Sequence, residues 1–130
     1  MKEITIGIKG KAETSASNDK LASSMGSGCL DVFATPAMIA LMECSACDCL
    51  ADYMDEGETT VGTELNVQHI SATPAGMNVT AEAVLTAVNG REFTFEVTAS
   101  DETGVIGKGT HKRFLVYSEK FMAKTNSKLN

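Results

Sequence analysis

The 130-residue sequence predicts an α+β domain in which one long helix packs on an antiparallel sheet of about five strands. Three observations carry this reading. From residue 59 onward apolar and polar residues alternate with period two, broken only by short turns. One long helical pattern follows Thr35-Pro36, and a separate alternating run, Ile4, Ile6 and Ile8, lies near the start. Short hairpin links make neighbouring strands antiparallel, and a single helix against such a sheet gives two layers. The sheet is expected to curl around the helix and bury it.

The elements follow in order. Residues 4–8 predict the first strand, and the small, polar stretch 15–31 predicts a loop with a short helical turn. Thr35 can cap a helix and proline is favoured at its first position, so the helix is expected from Thr35 to about Asp55, ended by Glu56-Gly57. Strands are expected at 60–70, with Val61, Leu65, Val67 and His69 on one face, and at 77–88, with Val79, Ala81, Ala83 and Leu85 inward. Asn89-Gly90 is a strong hairpin signal. Residues 91–100 then align Phe93, Phe95, Val97 and Ala99, Asp101–Gly104 turns the chain, and 105–117 makes the last strand. Glycines at 107 and 109 within that strand predict a bulge, a close backbone approach or contact with the helix.

The length suits one domain spanning 1–130 with a polar tail at 118–130. A formal net charge of −6 argues against a nucleic-acid partner, which would call for a basic patch or stripe. The opening MKEITIGIKG interleaves charge with isoleucine, unlike a secretion signal, and the longest apolar run, AMIALM, is far short of a bilayer span. The expectation is a cytoplasmic protein without a membrane partner, its four cysteines reduced.

Two readings compete over MECSACDC at 42–49. At 100° per residue, Cys44 and Cys47 lie about 60° apart but Cys49 about 160° from Cys47, so one helix cannot aim all three at one metal. They are expected to pack as small hydrophobes. Glu43, by contrast, has Ile39, Ala40, Cys47, Leu50 and Met54 within about 60°, a carboxylate on an apolar face. His69 is placed on the inward face of its strand, where the helix must pack. With the Thr35 hydroxyl at the helix start, these three make a set suited to acyl transfer.

At these residues the sequence resembles a family. VFATPAMIALME (32–43), TTVGTELNVQHISATPAGMNVTAEA (59–83), VNGREFTFEV (88–97), GKGTHKRF (107–114) and SEKFMAK (118–124) are similar to hot-dog-fold thioesterases, closest to the fluoroacetyl-CoA thioesterase group. The resemblance implies a hot-dog fold, a homodimer and hydrolysis of acyl-CoA thioesters, with no cofactor because CoA is part of the substrate, and no metal. It implies Thr35, Glu43 and His69 as catalytic residues, Glu43 acting as nucleophile or general base, and Gly62, Phe33 and Arg113 as substrate-binding residues. The group's aromatic lid residues align here with Gly26 and Cys29, which points to general short-chain acyl-CoA rather than a fluorinated acyl group. The alternatives are a non-catalytic hot-dog module that binds acyl-CoA or another small ligand, and a cysteine metal or redox protein.

Overall fold

The computed structural model describes residues 1–130. Strand β1 (Lys9–Ser15) leads through a 3-10 turn and the single-turn helix α1 (Ala22–Met25) to the long helix α2 (Thr35–Leu50). Strands β2 (Glu58–His69), β3 (Asn78–Asn89), β4 (Glu92–Asp101) and β5 (Gly104–Tyr117) follow, and helix α3 (Ser118–Asn126) closes the fold. All pairings are antiparallel, in the order β1-β3-β4-β5-β2. This is the five-stranded, one-helix architecture that the patterning and the resemblance imply. No helix is long and apolar enough to cross a membrane.

The first strand lies further along the chain than expected. Residues 4–8 carry apolar alternation but Gly7 turns with φ of 99°, and Ile6 is exposed while Ile4 and Ile8 only flank the core. The true β1, KGKAETS, hides its alternation because its inward residues are small. They have to be: the backbone of Gly10 lies against Ser45 and Cys49 of α2, so closely that a side chain there would meet main-chain atoms.

The core joins Met38, Met42, Ala46 and Leu50 of α2 to Val79, Ala81, Ala83 and Leu85 of β3 and Phe93, Phe95, Val97 and Ala99 of β4. The helix rests chiefly on β1 and β3, less on β4, and hardly touches β2. The sheet therefore does not wrap the helix evenly, and no residue of β2 is fully buried. Gly107 admits Met38 of α2, since a Cβ there would collide with the methionine sulfur. Helix packing accounts for that glycine.

Three local expectations are corrected. The helix ends at Leu50 and tightens into a 3-10 turn over Ala51–Tyr53, short of Asp55. Thr35 is the first helical residue rather than the cap; Ala34 occupies the cap position and no side chain bonds there. Between Gly62 and Glu64 the β2–β5 register slips, so Thr63 is an extra residue. Val61 then pairs with Phe114 on the outer face, leaving Leu65, Val67 and His69 without it, while Gly62 turns inward opposite Arg113. A bulge resets which side chains face which side of a strand, and simple alternation does not reveal one.

Candidate active site

The first group of polar atoms sits where α2 begins. Because Ala34 takes the cap position, the Thr35 hydroxyl is free, and its Oγ1 shares a hydrogen bond of 2.8 Å with Nδ1 of His69, the last residue of β2. The other ring nitrogen, Nε2, is buried with no partner in the chain. Burial holds the His69 pKa below its ordinary value, so the ring is neutral near pH 7. The backbone N–H groups of Thr35 and Ala37 also make no main-chain hydrogen bond, as expected for a helix start. Thr35 and His69 line a cavity of about 300 Å³ with Phe33, Val32, Leu30 and Cys29. Phe33 is buried and links this wall to the core. A larger depression of about 490 Å³ on the outer sheet face, among Asn66, Gln68, Glu96 and Lys108, contains none of these residues.

The second group lies two helical turns on, eight residues from Thr35 and therefore about 12 Å along the helix axis. Here Glu43 accepts a hydrogen bond of 3.0 Å on Oε2 from Nη1 of Arg113, and Oε1 has no partner within the chain. Arg113 is almost fully buried and spends its donors inside the fold: Nε on the Thr60 hydroxyl at 2.8 Å, Nη2 on the Thr60 carbonyl at 3.0 Å, and Nη1 also on Nε2 of His111 at 3.1 Å. The ion pair orients the carboxylate more than it stabilises the fold, because Glu43 is 38% exposed. Gly62 makes the approach possible. A Cβ there would stand 2.5 Å from Oε2 of Glu43.

The structure thus brings together the predicted Thr35 and His69, and separately Glu43, Gly62 and Arg113. Glu43 does face β2, as expected, but near Gly62 instead of His69. Around Glu43 its flank of α2 is not the core face: Ile39 is half-buried and Ala40 and Cys47 are exposed, and only Leu50, at the end of the helix, joins the core, whereas Met38, Met42, Ser45 and Cys49 point inward. Of the three helix cysteines only Cys49 packs in the core, where burial pushes its thiol up to about 11; Cys44 and Cys47 are exposed. Two residues of the second group, His111 and Thr60, were not singled out by sequence reasoning. The available signal was the His-Lys-Arg spacing at 111–113, which sets His111 and Arg113 on one face of β5.

An antiparallel sheet of this order on a central helix, carrying a hydroxyl, an imidazole and a carboxylate along one line, defines a hot-dog-fold thioesterase. The profile of the family described as fluoroacetyl-CoA-specific thioesterase (FlK) matches residues 16–119. The fluoroacetyl-CoA thioesterase of Streptantibioticus cattleyicolor is 43% identical over 98 residues, 75% of this chain and 70% of that protein. The solved structure of the fluoroacetyl-CoA thioesterase FlK superposes with a TM-score of 0.92 at 33% identity, covering 97% of this chain and 98% of that one. A threonine-to-serine variant of FlK in complex with acetyl-CoA gives a TM-score of 0.90 at 32% identity, covering 98% and 100%. The chain belongs to the fluoroacetyl-CoA-specific thioesterase family.

Proposed function

We propose that the protein hydrolyses short-chain acyl-CoA thioesters to a carboxylate and free CoA, with Thr35, Glu43 and His69 as the catalytic residues. The observation that carries this reading is the Glu43 carboxylate, held through one oxygen by a buried arginine and open at the other. The open oxygen takes a proton from water as the water oxygen adds to the thioester carbonyl carbon; the C–S bond then breaks and the CoA sulfur gains a proton. In the covalent variant Oε1 itself adds to that carbon, CoA leaves, and water hydrolyses the mixed anhydride. Heavy oxygen from labelled water found in the Glu43 carboxylate marks the covalent route.

His69 is suited to exchange a proton with Thr35 and to hydrogen-bond the reacting group through Nε2, which lacks a partner in the chain. The Thr35 hydroxyl and the free N–H groups at the helix start are donors for a developing oxyanion; because they lie about 12 Å along the helix from Glu43 of the same chain, the reading brings them to one carbonyl with the Glu43 of a second copy. Small and apolar residues line the adjoining cavity, with Cys29 and Gly28 in its wall, which suits short acyl groups without a dedicated aromatic lid. The FlK variant solved with acetyl-CoA supports a two-carbon acyl group as the first substrate to test. A homodimer belongs to the same reading, because β2 is a long edge strand whose inner face α2 covers only sparsely.

Thiol release from a panel of short acyl-CoAs tests the reading. Wild-type turnover should fall by roughly a hundredfold or more in Glu43→Gln, in line with loss of a general base or nucleophile. Equal inertness of the two proteins, both still binding CoA esters, would identify a non-catalytic binding module instead.

A further inference from the structure

His111 is the most enclosed ionisable side chain in the chain, with none of its surface exposed, and the thioesterase reading gives it no task. Its surroundings specify its protonation. Nδ1 lies 2.8 Å from the carbonyl oxygen of Glu64, which can only accept, so Nδ1 carries the proton. Nε2 lies 3.1 Å from Nη1 of Arg113, which can only donate, so Nε2 presents a lone pair. The ring is therefore neutral and in one tautomer. Its face stacks on Phe95 with centroids 6.1 Å apart, which fixes its plane.

The consequence passes to Glu43. One N–H of Arg113 Nη1 points at His111 Nε2 and the other at Glu43 Oε2, while Nε and Nη2 are fastened to Thr60. The guanidinium is held on both edges, so the carboxylate meets a donor of set direction. The β2 bulge builds this arrangement. The extra residue Thr63 lets Gly62 turn inward beneath the carboxylate while the next residue, Glu64, supplies the carbonyl that receives Nδ1–H.

We propose that His111 is a positioning residue for the thioesterase reaction: locked by the bulge carbonyl as a neutral acceptor, it aims Arg113 at Glu43 and so sets the orientation of the reacting carboxylate. The inference rests on the thioesterase reading for its kinetics but not for its chemistry. The charged groups that face His111 are Arg113 from β5 and Glu43 from α2; β2 contributes the Glu64 carbonyl and β4 the uncharged Phe95. Burial holds the His111 pKa below its ordinary value, and Arg113 acts in the same direction. A second proton on Nε2 would set two donors against each other and release Nη1.

Two measurements on the full chain test this. Imidazole nitrogen NMR of the wild type should show His111 neutral at pH 7 with its proton on Nδ1; a proton on Nε2 would overturn the proposal whatever the enzyme's activity. With acetyl-CoA as the probe, His111→Phe, which keeps an aromatic ring without an acceptor, should lose about ten- to a hundredfold in kcat with KM little changed. His111→Gln, whose amide oxygen can accept from Arg113, should recover most of that loss. Wild-type kcat in His111→Phe, or a Gln variant as impaired as a folded Phe variant, would overturn the proposal. If the Phe variant does not fold, the tautomer and the Gln variant decide: kcat in His111→Gln within a few-fold of wild type supports positioning, and a larger loss overturns it. A wild type that releases no thiol from any acyl-CoA instead defeats the thioesterase reading and leaves the tautomer result standing.

Discussion

At the scale of single residues, the site depends on one absent side chain. Gly62 is exposed and its φ lies outside the left-handed region that favours glycine, so a side chain there meets no such backbone penalty, yet a Cβ would stand 2.5 Å from the Glu43 oxygen that Arg113 holds. Glu43 would have to swing away while the fold is barely disturbed. We expect Gly62→Ala to lower kcat by at least about tenfold, within the range known for misplaced catalytic groups, with the thermal midpoint nearly unchanged. Steady-state kinetics beside a melting curve checks this, and a fall in both would point to the fold rather than the carboxylate. The histidines make a second prediction. His69 and His111 both have pKa values lowered by burial, from an ordinary value of 6.5, so the unfolded chain binds these protons more readily than the folded one. Their contribution to stability is complete above about pH 6.5 and is lost as pH falls through the folded-state values. Melting temperatures measured from pH 7 down to pH 5 should fall, and the slope should be shallower in His111→Gln.

At the scale of elements, legibility followed side-chain size and regularity. Strands β3, β4 and β5 were readable because most of their inward residues alternate and their turns carry Asn89-Gly90 and Asp101–Gly104, whereas the register shifts after Leu85 and Ala99 were not visible. Even there the hairpin turn is Gly90-Arg91, with Asn89 paired to Glu92, so the signal located the turn to within one residue. Strand β1 was hidden because close contact with α2 demands glycine and alanine where a pattern search seeks isoleucine. Glu43 is legible as an exceptional carboxylate, but the core face of α2 is not, because its first half is apolar nearly all round and helical geometry cannot say which side the sheet covers. The same β1–α2 contact yields a test. A methyl group at Gly10 would strike the Ser45 carbonyl and the Cys49 amide, backbone that cannot move aside. Gly10→Ala should destabilise the protein by about 1–3 kcal/mol, the usual cost of overpacking, or more. Denaturant unfolding measures it, and an unchanged midpoint would mean that β1 and α2 can separate at little cost.

At the scale of the whole molecule, the helix and the sheet do not match in width. Helix α2 covers β1, β3 and part of β4, leaving most of the twelve-residue edge strand β2 uncovered, and its own flank bearing Ile39, Ala40 and Cys47 is not in the core. The proposed site groups lie along that same flank and its facing strands: Thr35 and His69 at one end, Glu43 and Gly62 about 12 Å further along the helix. A second copy seated on β2 would cover this line without disturbing the core and would exclude water from it. The dimer and the active site are then one prediction. Light scattering coupled to size-exclusion chromatography should return about twice the 13.7 kDa of one chain. A charge on the uncovered flank, as in Ile39→Arg, should shift the protein toward monomer, because a desolvated unpaired charge is costly at an interface. Because Ile39 is only half-buried within the chain, the substituted monomer should stay folded, and its thiol release should fall in step with the dimer fraction. A wild-type monomer with full activity, or an Ile39→Arg dimer indistinguishable from wild type, would place the interface elsewhere.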